Sequence, residues 1–139
     1  MKTVYTLECQ QEYEFIVLGI NSHSKAYKLC WGLNQIEDLN FEKTDPHEIN
    51  NKMIFSKYRS ENSDGNIFNL VSNWSSKGYM IPHQKRINYF LIISIDFWKI
   101  KKEDFLGRLR EIKEILLVFK LDLHKEKYSD RFVIHDKKD

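Results

Sequence analysis

The stretch GYMIPHQKRINYFLIISIDFW, residues 78–98, places a polar turn directly before one of the most apolar runs of the chain. Pro82 fixes its own backbone angle, favours an extended Ile81 and has no N–H to donate, so it belongs at a strand entry, an edge or a bulge. Residues 87–95 then show almost no polar alternation, which is typical of a strand buried on both faces. The sequence therefore predicts a turn at Pro82 followed by a central strand over residues 87–96.

A second segment, FIVLGI at residues 15–20, has the same character. Two strands that are apolar on both sides need cover above and below the sheet, and the sequence offers only two convincing helices. Either these helices lie on opposite faces, or another protein chain closes one face. Large exposed apolar patches are rare on monomers, so the second alternative makes a homodimer a serious candidate.

Periodicity predicts the other elements of the first half. AYKLCW, residues 26–31, reads as the return strand of a hairpin with residues 15–20, and a short amphipathic helix carrying Leu33, Ile36 and Leu39 then follows Gly32. We expect Asp45-Pro46 to end that region.

A second predicted hairpin joins residues 52–59 to residues 67–74. If Asp64-Gly65 forms a two-residue loop, Tyr58 lies opposite Val71 and Phe55 lies opposite Trp74.

A long helix is predicted over residues 101–119, with one apolar stripe formed by Phe105, Leu109, Ile112, Leu116 and Phe119. RFVI, residues 131–134, is expected to form a last short strand. The predicted architecture is α+β, a mostly antiparallel sheet of about five or six strands with two helices.

Length and composition limit the class of protein. A chain of 139 residues with 42% hydrophobic residues fits a single globular domain over residues 1–139, and a net charge of +2 implies no strong attraction to nucleic acid or to an anionic membrane. Cys9 and Cys30 are the two cysteines, and the first residues have no signal-peptide pattern, which favours a reducing, cytoplasmic location. The longest apolar run is too short for a membrane helix.

Ile81-Pro82, followed by Asn88-Tyr89 and an apolar run, resembles the motif that names the IPExxxDY family of Bacteroidota proteins. GINSHSKAYKLCWGLN, residues 19–34, is similar to the early hairpin and helix start of that family. His83 stands in place of the family's Glu and Asn88 in place of its Asp, and the spacing between them is one residue longer. The resemblance implies a small stand-alone domain and brings no reaction, cofactor or partner with it.

The polar residues after Pro82 are the candidate functional site. They could form a rim that binds an anionic ligand or an acidic partner, with cationic donors beside an amphipathic tyrosine. The alternative is a solvated turn with the tyrosine packed in the sheet. The candidate residues are His83, Gln84, Lys85, Arg86, Asn88 and Tyr89.

Patterns for other chemistry are weak. Asp45 and His47 flank a proline and could share a metal ion, but such a pair specifies little, and we predict no metal or cofactor. The glycines are scattered singly, and no nucleophile-elbow motif is present. A nucleic-acid surface could arise from interleaved aromatic and basic side chains. Its members would be Tyr79, Lys85, Arg86, Trp98, Lys99, Lys101 and Lys102.

The leading functional hypothesis is a small non-catalytic interaction module with an unknown protein partner, self-associating through a sheet face or edge. The alternative is a nucleic-acid-binding domain that uses the basic aromatic patch. An enzyme with a spatially assembled site is the third hypothesis.

Overall fold

The computed structural model describes residues 13–50 and 52–134. Within these ranges the chain folds as α+β, with a six-stranded antiparallel sheet, a two-stranded ribbon and two α-helices, as the sequence predicts. The strands are β1 (Phe15–Asn21), β2 (Glu42–Ile49), β3 (Met53–Glu61), β4 (Ile67–Ser72), β5 (Trp74–Ser75), β6 (Gly78–Tyr79), β7 (Tyr89–Ser94) and β8 (Leu117–Lys120). The helices are α1 (Ala26–Leu33) and α2 (Ile95–Arg110), and a 3-10 turn spans Ser129–Phe132.

The main sheet has the order β2-β3-β4-β7-β1-β8, which places the two most apolar strands next to each other. β1 pairs with β7 in antiparallel register, with Leu18 opposite Leu91. Side chains of both strands are buried on alternate faces, so the prediction of double-sided burial is confirmed. Pro82 lies in a turn before β7, also as predicted.

Both helices cover the same face of the sheet, which we call the helix face. Leu29 and Leu33 of α1, and Phe105 and Leu109 of α2, pack in one cluster with the side chains of β1, β4 and β7 that point to this side. The alternative in which the helices lie on opposite faces is therefore wrong. The two helices cover one face of the sheet, and segments without α-helix cover the other face.

That other face, which we call the loop face, is closed by irregular segments of the chain itself, residues 80–87 and 121–132. They bury a set of apolar side chains against Val17, Val71, Phe90 and Ile92 of the sheet. The covering side chains are Met80, Ile81, Ile87, Leu121, Leu123 and Phe132. Each fully buried side chain of this size contributes about 1.5–3 kcal/mol. Segments of the same chain thus cover both faces of the two central strands.

Residues 26–31 form a helix where the sequence suggested a return strand. Leu29, Cys30 and Leu33 are buried, and Tyr27 and Trp31 are exposed, which is the pattern of a helix with one buried face. The helix begins after Lys25, whose carbonyl accepts hydrogen bonds from the N–H groups of residues 28 and 29.

The short helix predicted after Gly32 is also absent from the described residues, since α1 ends at Leu33 and turns follow, with Asp38 at a φ of 72°. Pro46 does not end this region but lies inside edge strand β2, at a register shift between Thr44 and His47. An edge strand tolerates proline at such an irregularity because no neighbour needs the missing N–H.

The second hairpin is confirmed as β3 and β4, but its register differs from the prediction by one residue. Tyr58 lies opposite Leu70, not Val71. The loop spans five residues, 62–66, because the Asn62 side chain accepts hydrogen bonds from the N–H groups of Asp64 and Asn66. Trp74 belongs to β5, so it does not face Phe55, which lies opposite His47 instead.

The predicted long helix is displaced. α2 begins at Ile95, directly after β7, and ends at Arg110, and the apolar residues that follow form edge strand β8 beside β1. Ile112, Leu116 and Phe119 are therefore outside the helix. The predicted last strand is also wrong, since residues 131 and 132 lie in the 3-10 turn that brings Phe132 onto the loop face and residues 133 and 134 follow it. Neither α-helix of the described ranges has the length and apolarity needed to span a bilayer.

Candidate binding surface

The polar turn before β7 is held in place by one buried side chain, Asn73. Its Nδ2 donates to the carbonyls of Gln84 (3.0 Å) and Ile87 (2.8 Å), and its Oδ1 accepts from the N–H of Ile81 (3.0 Å). Its own N–H donates to the Asn88 carbonyl, and its carbonyl accepts from the N–H of Met80. A loop has no ladder to satisfy its backbone, and Asn73 supplies the missing partners.

Three candidate residues of the turn serve the fold. Gln84 contributes main-chain bonds to the turn. Asn88 Oδ1 accepts from the N–H of Ser22 at 2.7 Å, which ties the turn to the chain after β1. Tyr89 points to the helix face, where its hydroxyl donates to the Ser24 carbonyl at 2.8 Å. Burial, together with the charges of Tyr58 and Cys30 when ionised, raises the pKa of Tyr89 to about 12.

The cationic candidates Lys85 and Arg86 are exposed. The Lys85 ammonium lies 5.5 Å from the ring centroid of Tyr79, within reach of a cation–π interaction. The Arg86 carbonyl accepts a hydrogen bond from Asn21 Nδ2. These side chains project into solvent from a turn whose backbone is fixed.

His83 faces the C-terminal segment of the described chain. Its Nε2 lies 3.0 Å from Glu126 Oε1, and its ring lies 5.9 Å from that of Tyr128. Glu126 is buried, and its second oxygen accepts from the N–H of Tyr128. The Glu126 carboxylate is thus fully engaged at the base of this contact.

Two cationic side chains lie over the Tyr128 ring. The Arg131 guanidinium lies 4.3 Å from its ring centroid, and the Lys127 ammonium lies at 5.1 Å. Arg131 Nη1 also donates to the Met80 carbonyl at 2.6 Å, which joins the C-terminal segment to the turn. We call this connected surface the cation–aromatic patch. It consists of Tyr79, His83, Lys85, Lys127, Tyr128 and Arg131.

Sequence reasoning placed half of this surface and missed the other half. The missed members, Lys127, Tyr128 and Arg131, follow Glu126 in the sequence, and Glu126 itself is 43 residues from its partner His83. The local signal is a tyrosine with cations one residue before and three residues after it, which is common on solvated surfaces. Only the docking of this segment on the loop face makes it part of a site.

The structure does not assemble the proposed nucleic-acid surface. Trp98 is buried in the helix-face cluster, so its ring cannot stack on a base. Lys99, Lys101 and Lys102 lie on α2, which covers the helix face. Tyr79 lies in β6 and Lys85 in the turn of residues 80–87 that covers the loop face.

Of the candidate metal-binding pair Asp45 and His47, the histidine has a structural role. His47 is buried, and its Nε2 donates to the Arg131 carbonyl at 2.6 Å, which pins the C-terminal segment to β2. Within residues 13–50 and 52–134, no group of three His, Cys, Asp or Glu side chains is placed to share a metal ion.

Comparison of the sequence with protein-family models gives no match, and comparison with curated proteins gives none. The resemblance to the IPExxxDY family therefore stays a prediction.

Proposed function

We propose that this protein is a non-catalytic cytoplasmic interaction module that binds an acidic segment of a partner protein at the cation–aromatic patch. The observation that carries the proposal is the gathering of Lys85, Lys127 and Arg131 against two tyrosine rings. The carboxylate at its base, Glu126, is buried and engaged by His83, so it does not compete for these cations.

The small free energy of a single exposed ion pair limits which partners the patch can bind. An exposed ion pair contributes about 0.2–1 kcal/mol, so three cations cannot hold a lone carboxylate at micromolar concentration. The partner must present several carboxylates in one extended segment, and it gains further from apolar contact with the tyrosine rings. Arg131 is already positioned by its bond to the Met80 carbonyl, which lowers the entropy lost on binding.

Fluorescence anisotropy with a labelled peptide of alternating Glu and Ser tests the proposal, with the Gln-for-Glu peptide as the uncharged probe. We expect salt-sensitive binding of the acidic peptide and at least a tenfold loss in the double variant Lys85→Glu/Lys127→Glu. The matched control is Lys99→Glu/Lys101→Glu, which changes the net charge equally on α2, away from the patch. Equal losses in both variants would show general electrostatics and no site.

The nucleic-acid alternative is tested in the same assay. A single-stranded oligonucleotide that binds more tightly than the acidic peptide at equal salt would support it, because neutralised phosphates release counterions. We favour the acidic peptide, since Trp98, the tryptophan of the proposed nucleic-acid surface, is buried and its ring cannot stack on a base.

Self-association is the second part of the proposed function, and we place it at the sheet edge. The loop face is already covered by the chain, whereas β8 pairs with β1 on one side and exposes Leu117, next to the exposed Leu116 that precedes the strand. Two β8 strands could pair edge to edge. Sedimentation velocity should then show a dimer that Leu117→Lys dissociates and Ile100→Lys, an equally apolar exposed position on α2, does not. A strict monomer at high micromolar concentration would remove this part and leave the patch untouched.

A further inference from the structure

A cleft of about 480 Å³ opens where the end of α1 meets the turns after α2. It lies on the helix-face side, apart from the cation–aromatic patch. Its lining includes Trp31, Gly32, Gln35, Arg108, Ile112 and Glu114.

Glu114 is the unusual member of this lining. Its residue is 7% exposed, and its Oε2 is buried without a hydrogen-bond partner among the described residues. Buried carboxylates in proteins are ordinarily paired or hydrogen-bonded, because burial removes the water that would otherwise satisfy them. The cleft therefore contains an acceptor without a donor.

The backbone of α1 is shaped around this carboxylate. A Cβ at Gly32 would lie 2.8 Å from Glu114 Oε1 and 2.9 Å from Ile112 Cγ2, closer than such atoms can approach. Glycine is unfavourable inside a helix, and here it leaves the room that the carboxylate occupies. Any larger residue would displace Glu114 from its position beside the cleft.

Two polar neighbours in the cleft, Arg108 and Gln35, are bonded to other groups. Arg108 Nε is bonded to Asp104 at 3.0 Å, one turn earlier on α2, and Lys113 is an exposed cation of the lining. Gln35 Nε2 donates to the Trp31 carbonyl. At the rim, Trp31 is 62% exposed, so its indole face is open to a ligand.

We propose that this cleft binds an alkylammonium group. The ammonium donates to the Glu114 carboxylate in a charge-assisted hydrogen bond, and its charge and alkyl chain lie against the Trp31 indole, the strongest cation–π partner among side chains. Rotation about the terminal torsion of Glu114 exchanges its two oxygens, so either can serve as acceptor. The same chemistry is offered by a free amine and by a lysine side chain of another protein.

NMR titration of the ¹⁵N-labelled protein tests this inference, with n-butylammonium as the probe and n-butanol as the neutral probe of equal shape. We expect saturable shifts of the Gly32 amide and the Trp31 indole N–H with n-butylammonium and none with n-butanol. Glu114→Gln should weaken binding at least tenfold, whereas Glu111→Gln, which neutralises an exposed carboxylate of the same cleft, should retain it. The amide spectrum of each variant reports its fold in the same experiment.

Equal shifts with n-butylammonium and n-butanol, or unchanged binding in Glu114→Gln, would overturn the proposal. Gly32→Ala is the second variant and should also weaken binding, because its methyl group shifts the end of the Glu114 side chain. N-acetyl-lysine methylamide distinguishes the two sources of ligand. Tighter binding than n-butylammonium indicates a lysine of a partner protein, and weaker binding indicates a free amine. Both results are independent of the acidic-peptide assay at the cation–aromatic patch.

Discussion

The two faces of the sheet are covered in different ways. On the helix face, α1 and α2 satisfy their own backbone groups and contribute apolar side chains to the core. On the loop face, residues 80–87 and 121–132 have no α-helix or strand ladder, so side chains such as Asn73, His47 and Arg131 bond to their carbonyls and N–H groups. A sheet face that is covered by irregular segments thus depends on specific side-chain hydrogen bonds to the backbone. A face that is covered by helices depends on apolar residues at helical spacing.

Asn73 and Glu114 show this difference in two buried polar side chains. Asn73 is fully buried and bonds three backbone groups of the turn. Glu114 is almost as buried, and its Oε2 has no partner in the described chain. Asn73 therefore holds the loop-face turn in place, whereas Glu114 is a hydrogen-bond acceptor without a donor beside the helix face. Opposite effects on stability should follow from their removal.

The largest effect is expected for Asn73→Ala. The substitution leaves one N–H and two carbonyls without their partner in a buried turn, so we expect a loss of about 3–5 kcal/mol in the free energy of unfolding. Urea unfolding measures it, with Asn40→Ala at an exposed position as the control, expected to change stability by less than about 0.5 kcal/mol. A loss near that of the control would mean that the loop face does not depend on this tie.

The helix-face and loop-face covers differed in how far the sequence could predict them. The double-sided burial of residues 15–20 and 87–95 follows from their composition alone, and with it the central pair of strands. The α+β class followed from the count of apolar segments. Residues 26–31 were wrongly predicted because six residues satisfy alternation and helical spacing equally well, and only the exposure of Tyr27 and Trp31 decides between them.

The loop-face cover could not be predicted, because it depends on contacts distant in sequence. The separation of 84 residues between His47 and Arg131 leaves no local signal. The same holds for the candidate site. The cationic members of the turn are visible after Pro82, but Tyr128 and Arg131 join them only through docking, and nothing near Asn88 or Tyr89 in sequence indicates that their side chains tie the fold together.

Closure of the helix face can be measured at Cys30. Burial raises the pKa of this thiol to about 11 from 9.0, so at pH 8 its thiolate fraction falls about 100-fold relative to an ordinary cysteine. In a Cys9→Ser background, where Cys30 is the remaining thiol, DTNB should therefore react at least about 100-fold more slowly with native than with urea-unfolded protein. Fast native reaction would show that α1 opens independently of the sheet.

The raised pKa values also predict an alkaline limit of stability. Well below pH 8 the Cys30 thiol and the Tyr89 hydroxyl are protonated in the folded and unfolded states alike, and neither changes the balance. As pH rises from about 8 to about 12, the unfolded chain loses these protons first, so stability falls. Tyr89→Phe should make the decline shallower above pH 10, whereas Tyr27→Phe, at an exposed position, should not.

A smaller effect is expected for Gly19→Ala, which acts on the loop face alone. A Cβ there would lie 3.0 Å from Ile87 Cδ1 and 3.0 Å from Leu121 Cδ1, so the ends of these two side chains, one on each covering segment, must give way. We expect a loss of about 1–3 kcal/mol, the usual range for an overpacked core. Hydrogen exchange should show the loss of protection in residues 80–87 and 121–132 before α1 and α2. Gly107→Ala is the control, since a Cβ there meets nothing within 4 Å.

The smallest effect, and the one of opposite sign, is expected for Glu114→Gln. The amide has the shape of the carboxylate but no charge to bury, and the penalty for an unsatisfied buried group is greater for a charged group than for a neutral one. We therefore expect the free energy of unfolding to rise by about 0.5–1 kcal/mol at neutral pH, measured by urea unfolding beside Glu111→Gln, which should be neutral within about 0.5 kcal/mol. A loss of stability in Glu114→Gln would mean that the folded protein already supplies a donor to this carboxylate. Asn73 and Glu114 would then no longer differ, because both buried side chains would stabilise the fold through hydrogen bonds.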